Sequence, residues 1–200
     1  IELIGQEYAI SDAERNLLVR VESELTHVDE TLRDMLSLAR PVGLAPKPMV
    51  LHDTINAALA RLAGRPAMER VAVVRDYDPK VGQILGDAAR LEQAVLNLCL
   101  NAVEAMPEGG RVTVTTRAGE GTGAIEVADT GIGIPPENLA KILTPFFSTK
   151  ALGTGLGLPL VARVVAAHGG TVSVESEVGK GTAFHLEIPA KEAAWQVSAS

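Results

Sequence analysis

The stretch DTGIGI, residues 129–134, follows AIEVA, a run whose apolar residues alternate as in a strand. A second glycine run, GTGLGL, occupies residues 153–158. Neither run is a dinucleotide loop, which needs G-x-G-x-x-G between a strand and a helix. After Gly131 and Gly133 the sixth position is Pro136, and after Gly155 and Gly157 it is Leu160. GKGT at 179–182 lacks the Ser or Thr that a Walker loop carries directly after its lysine, Lys180. A site that uses both runs has to be built differently.

Asp129 ends its strand and is followed at once by a turn. The glycines allow backbone to approach a ligand closely. A carboxylate oxygen there can accept a hydrogen bond from an amino group such as that of adenine, with Ile132 and Ile134 walling the ring. An aspartate that bonds its own turn explains the stretch equally well, and DTGIGI alone leaves both readings open.

DAARLEQAVLNLCLNAVEAM, residues 87–106, reads as a helix capped by Asp87. Gln93, Asn97 and Asn101 fall at i, i+4 and i+8, with Glu104 near the same face and Leu91, Val95, Leu98 and Ala102 opposite. Asparagine is a mediocre helix former, so two at this spacing point to work for their amide oxygens. Mg²⁺ takes oxygen ligands and shares them with phosphates and water. A solvated face is the competing reading.

TPFFSTKALGTGLGL, residues 144–158, combines small and hydroxyl residues with Lys150 and leads into a helix near Pro159. Glycine loops and helix N-termini favour anions through their N–H groups, and Lys150 adds a point charge. Phe146 and Phe147 are placed to clamp this segment against the domain. An ordinary surface loop with two buried rings is the alternative.

Around these motifs the chain is ordinary: 200 residues, 46% hydrophobic and 22% charged, as expected of a globular domain with an attachment. Aromatics make up 3%, so the core is aliphatic. A net charge of -7 argues against broad nucleic-acid binding. Cys99 is the single cysteine and reads as a core thiol in a reducing compartment, which points to the cytoplasm. No stretch has the roughly 18–20 apolar residues of a membrane span, and no signal peptide opens the chain.

Residues 11–40 carry a heptad seam: Leu18, Val21, Leu25, Val28, Leu32, Met35 and Ala39. Ser11 and Glu14 form a capping-box pattern at its start, and Arg40-Pro41 ends it. PVGLAPKP, 41–48, reads as a linker. From 49 to 190 the expected order is a helix ended by Gly64, a strand over 70–77, the helix from Asp87 and strands over 111–118 and 123–130. The strands are joined by the loop GEGTG. A short helix over 135–143, a helix with a glycine stop at 159–170 and a final hairpin over 171–189 complete it. The fold class is an α/β two-layer sandwich with strands and helices partly segregated. Residues 191–200, with Trp195, read as a tail.

Taken together and in this order, NLCLNAVEAM, DTGIGI, TPFFSTK and GTGLGL resemble the asparagine, first glycine, phenylalanine and second glycine boxes of sensor histidine kinases. GKGTAFHLEIP is similar to that family's last hairpin. The resemblance covers about 49–190 and implies the α/β ATP-binding sandwich of gyrase, Hsp90, histidine kinases and MutL, with a flexible lid. Residues 1–40 resemble part of the dimerisation and phosphoacceptor hairpin. The phosphoacceptor pattern itself is missing: His27, His52, His168 and His185 all lie elsewhere. The expectation is a piece of a longer protein, cut just after that histidine.

By this resemblance Asp129 bonds the adenine amino group, and Thr182 lies near adenine. Asn101 offers its oxygen to Mg²⁺, with Asn97 beside it. Lys150 and the segment Gly153, Thr154, Gly155, Leu156, Gly157 and Leu158 hold the phosphates of ATP, with Thr149 adjoining. Gly131, Gly133 and Ile134 belong to the base side. The γ-phosphoryl passes to a histidine and then to a response regulator receiver domain. The intact protein is a homodimer through its hairpin, this part faces the cytoplasm, and the parent is free to be membrane-anchored. Hydrolysing relatives carry Glu where Asn97 stands, so slow ATP hydrolysis is implied, imidazole being a better nucleophile than water. The compact lid resembles kinases of the nitrogen-regulation type. Two other functions compete: a regulatory nucleotide-binding module without transfer, and an anti-sigma-type serine kinase, against which the heptad helix counts.

Overall fold

The structure is a computed structural model that describes residues 11, 14–21, 25, 35, 43–63, 65–150 and 153–189. The chain divides into two units, residues 1–41 and 42–200. In the first, the expected capping box is formed. The Ser11 N–H donates to Glu14 Oε2 at 2.8 Å, and the Glu14 N–H donates back to Ser11 Oγ at 3.3 Å. The Ser11 hydroxyl, which donates to Glu14 Oε2 at 2.7 Å, and then the Ser11 N–H hold the Glu14 carboxyl below its ordinary value. Leu18, Val21, Leu25 and Met35 are helical. Val28, Leu32 and Ala39 lie outside the described residues, as do His27, the Arg40-Pro41 exit, Gly64 and the tail with Trp195.

The second unit is built on a five-stranded sheet, β2 (Val71–Tyr77), β4 (Gly110–Gly119), β5 (Thr122–Asp129), β7 (Gly181–Pro189) and β6 (Thr171–Glu177), in the spatial order 2-4-5-7-6. Only β2 and β4 are parallel, and the chain between them holds a helix, the long crossover that parallel strands require. A separate two-stranded sheet pairs β1 (Lys47–Val50) with β3 (Gln83–Gly86). Sequence patterning leaves both short strands unread. Lys47 and Pro48, counted as linker on proline content, are strand residues. Pro48 is tolerated there because this small sheet has only edge strands.

Alternation along the strands decides what faces inward. Gly123, Ile125 and Val127 of β5 are buried, and they pair with Ile188, Leu186 and Phe184 of β7, which are buried too. Asp129 falls on the same parity, so its carboxylate points to the packed side of the sheet. The five-residue loop expected between β4 and β5 is a two-residue connection, since Gly119 pairs with Thr122. The pairing runs further than the residue types suggested because Gly119 and Gly123 fit inside the ladder.

Three main helices pack with the sheet: α1 (Leu51–Leu62), α2 (Ala88–Glu104) and α4 (Gly157–Ala167). A fourth, α3 (Pro136–Leu139), is a single turn and shorter than the expected 135–143. In α1, Leu51, Ile55, Ala58, Leu59 and Leu62 form the buried stripe. Helix α2 packs against both α1 and α4, which explains why nearly every position from Leu91 to Val103 is shielded. Cys99 is fully buried in it, and burial pushes its thiol up to about 12, so it is a packing residue. The glycine stop of α4 is formed: the Gly169 N–H donates to Ala166 O and the Gly170 N–H to Val165 O, both at 2.9 Å.

Asp87 is the main joint of the helical layer. Its Oδ1 accepts from the Arg90 N–H at 3.2 Å, capping α2, and its Oδ2 accepts from the Ala45 N–H at 3.0 Å. Its own N–H donates to Nε2 of buried His168 at the end of α4, at 3.0 Å. The His168 ring is therefore the Nδ1–H tautomer, donating to Val164 O at 2.8 Å. Replacing Asp87 by Ala removes the cap and leaves the Ala45 N–H unpaired, so Asp87→Ala is expected to cost about 1–2 kcal/mol. Urea unfolding checks this, and an unchanged midpoint would contradict it.

Candidate nucleotide-binding site

Asp129 is half-buried at the end of β5. Its Oδ1 accepts two backbone N–H groups, Gly131 at 2.8 Å and Thr182 at 3.3 Å. No protein hydrogen bond reaches Oδ2 among the described residues. Both readings of the aspartate are thus partly realised: one oxygen bonds the turn, and the other is presented as an acceptor. Desolvation raises the Asp129 carboxyl above its ordinary value, against smaller opposing effects of the two N–H groups and the charge of Lys150.

The first glycine run is locked from three sides. The Ile132 N–H donates to Ala105 O just past α2, at 3.1 Å, and Ile132 O accepts from the Gly179 N–H at 2.8 Å. Gly133 has φ +71, and a Cβ there would come within 2.2 Å of Glu177 O. The Ile134 N–H donates to Ser176 Oγ at 2.8 Å. Ser176 Oγ also lies 2.9 Å from Thr182 Oγ1 and 2.9 Å from Gly181 O. Ser176 thus ties the glycine run to the β6–β7 hairpin and to Thr182, which is itself buried. Residue types alone give no hint of Ser176. The signal lies in the hairpin register, which sets Ser176 opposite Thr182.

Ile132 is 65% exposed beside the glycine turn. One expected side-chain role fails. Phe146 is 67% exposed, with φ +67. Its N–H donates to Gly155 O at 3.0 Å, which sends the ring to solvent and rules out its clamping the segment in this state. Gly155, φ +65, allows this approach, since a Cβ would stand 2.6 Å from the Phe146 carbonyl carbon.

The asparagine stripe is no solvated face. Asn97 is 8% exposed. Its Nδ2 donates to Gly157 O at 3.3 Å, and its Oδ1 accepts from Gln93 Nε2 at 3.3 Å. This fastens the second glycine run to α2. Gly157 opens α4, whose first-turn N–H groups have no intrahelical partner. Asn101 Oδ1 accepts from the Lys150 ammonium at 3.1 Å, and the same ammonium pairs with Glu104 Oε2. The Gly153 N–H donates to Lys150 O, and Thr154 Oγ1 accepts from the Leu156 N–H. Leu156 is fully buried and packs. Thr149 is exposed and Leu158 half-buried, and neither side chain joins the hydrogen-bonded cluster.

Both glycine runs therefore meet α2, the first at its C-terminal end and the second at Asn97. Around this helix stand an acceptor carboxylate, a row of amides and a lysine. A family profile, described as Histidine kinase-, DNA gyrase B-, and HSP90-like ATPase, matches residues 86–192. The chain belongs to this family. Sporulation kinase C of Bacillus subtilis (strain 168) is 36% identical over 170 residues, covering 84% of this chain and 40% of that relative. Sensor histidine kinase ZraS of Klebsiella oxytoca is 38% identical over 181 residues, covering 90% of this chain and 39% of the relative. The crystal structure of full-length ShkA in complex with AMPPNP superposes with a TM-score of 0.78 at 29% identity, covering 90% of this chain and 39% of that one. The chain spans about 40% of the length of the curated relatives it matches. The sensor histidine kinase resemblance and the sandwich fold both hold. No helix among the described residues is long and apolar enough to cross a membrane.

The raised Asp129 carboxyl gives a signed expectation. A group whose folded pKa is raised contributes stability below its unfolded value, and that contribution is lost as pH rises through the folded one. At neutral pH the charged Asp129 therefore burdens the nucleotide-free fold. Asp129→Asn keeps an Oδ1 for both N–H groups, so it is expected to leave the neutral-pH melting temperature equal or higher and to lessen any loss between acid and neutral pH. Thermal melts across that range test this. A lower neutral-pH melting temperature in the variant would contradict it.

Proposed function

We propose that this chain binds Mg-ATP at the α2 site and serves as the kinase part of a sensor histidine kinase, donating the γ-phosphoryl group to a histidine. The observation that carries the reading is the division of labour around α2. Asp129, with one carboxylate oxygen that no hydrogen bond reaches among the described residues, lies in the strand end and glycine run that meet α2 just past its C-terminus, and Asn101 and Lys150 meet on the last turn of the same helix. Asp129 Oδ2 accepts from the adenine amino group, with Thr182 beside it. Ser176 and Gly133 keep the first glycine run in register with the hairpin. The second glycine run and the first turn of α4 give N–H groups to the phosphates.

The fit of Mg²⁺ rests on the donors. Asn101 Oδ1 already accepts from a cation, the Lys150 ammonium. No cluster of three His, Cys, Asp or Glu exists among the described residues, which agrees with an ion that takes most of its ligands from phosphates and water. Asn101 would hold it, with Asn97 positioning that side of α2. When bound, Mg²⁺ neutralises phosphate charge. The protein's share is positioning and charge, as is general for phosphoryl transfer. Asn97 offers no base for water: its amide cannot take a proton at neutral pH, and both its ends are engaged.

The acceptor histidine lies on the first helix of the hairpin, and the group then passes to an aspartate of a response regulator receiver domain. The full protein pairs with itself through that hairpin, and this part faces the cytoplasm. Two measurements test the reading. Incubated with γ-labelled ATP, the chain is expected to label a supplied hairpin that carries the histidine, with acid-labile and base-stable label. Phosphate release without acceptor should stay below about 1 s⁻¹, the low edge of ordinary enzyme turnover. Binding of ATP with no label on the full-length protein's own hairpin would favour a regulatory module instead.

A further inference from the structure

Glu104 has no role in the site as described, yet its carboxylate touches the one residue expected to carry the phosphate charge. The Lys150 ammonium stands between Asn101 Oδ1 and Glu104 Oε2, two acceptors one helical turn apart on α2. Among the described residues, all other hydrogen bonds of 146–155 stay within the local 144–156 segment: Phe146 to Gly155, Phe147 to Thr144, Gly153 to Lys150, Leu156 to Thr154, and Ser148 with Lys150. Among the described residues, this ammonium is therefore the segment's only hydrogen-bonded link to α2. It is also seated on the oxygen read above as the metal ligand. A lone pair aimed at an ammonium is not available to a dication, and two cations on one oxygen repel.

We propose that Glu104 is a positioning residue that seats Lys150 on α2 in the nucleotide-free chain. Metal-nucleotide then binds by exchange: Lys150 leaves Asn101 for the phosphates as the metal takes the amide oxygen. This rests on the reading of Asn101 as the metal-facing side chain. Glu104 sets how firmly the phenylalanine-box segment is held before ATP arrives and how much of the binding energy is spent in freeing it. Its side chain is 55% exposed and that of Lys150 39%, so the seat is a weak and readily exchanged one.

The test reads the seat with and without nucleotide. In the nucleotide-free chain, Glu104→Gln should speed amide hydrogen exchange of residues 146–150 and 153–156 by about two- to five-fold, the range of an exposed ion pair. Its affinity for the magnesium complex of a non-hydrolysable ATP analogue should rise by a similar factor, while its affinity for adenosine, which has no phosphate to draw Lys150 away, stays the same. On a Lys150→Met background, adding Glu104→Gln should change neither exchange nor affinity. Unchanged exchange in Glu104→Gln would overturn the proposal. So would an affinity gain that survives in Lys150→Met, since Glu104 would then act only by repelling phosphates. If the wild-type chain bound no nucleotide, the functional reading would fail, while the exchange experiment would still decide the seat.

Discussion

One carboxylate oxygen organises the ligand side of this domain. Asp129 Oδ1 accepts the N–H of Gly131 and the N–H of Thr182, so a single atom joins the end of β5, the first glycine run and the start of β7. A half-buried carboxylate is costly in a fold, and its raised pKa records that cost. The cost is tolerable because two N–H groups offset it on one side and the second oxygen is kept as an acceptor. The geometry around it follows. The tight approach of Gly133 to Glu177, the bond from Ile134 to Ser176 and the pairing of Ser176 with Thr182 all hold the same few residues in one register.

Helix α2 is the second organising element. It is wedged between α1 and α4 over the sheet, and the two glycine runs meet its C-terminal half. Asn97 fastens one run, Ala105 O fastens the other, and Asn101 and Glu104 take the ammonium of Lys150 between them. The proposed base side and phosphate side thus both meet the C-terminal half of one helix. This explains why two glycine runs stand apart in sequence and neither completes a phosphate loop by itself.

Much of this was legible in the sequence, and the reasons for the misses are physical. Long periodic elements and caps read correctly: the Ser11–Glu14 box, Asp87, the helix over 51–62 and the glycine stop after His168. The short strands β1 and β3 did not, because four residues carry too little alternation and one of them is proline. The family boxes located Asp129, Asn97, Asn101 and Lys150. They could not reveal that Thr182 shares the Asp129 oxygen used by Gly131 or that Lys150 rests on Asn101, since those contacts span 53 and 49 positions. Phe146 was expected to clamp the segment, but it stands at positive φ with its N–H bonded to Gly155 O and its ring exposed, a backbone conformation that residue type does not reveal.

The central claim is that Asp129 reads an amino group on a purine ring. The most direct measurement is equilibrium binding of ATP and of inosine triphosphate, which carries a carbonyl oxygen where adenine has the amino group. A hydrogen bond to a charged acceptor is worth about 1.5–3 kcal/mol. The account therefore predicts that ATP binds at least about ten-fold more tightly to the wild-type chain, and that Asp129→Asn narrows the gap. Equal affinity of the wild-type chain for the two nucleotides would contradict it.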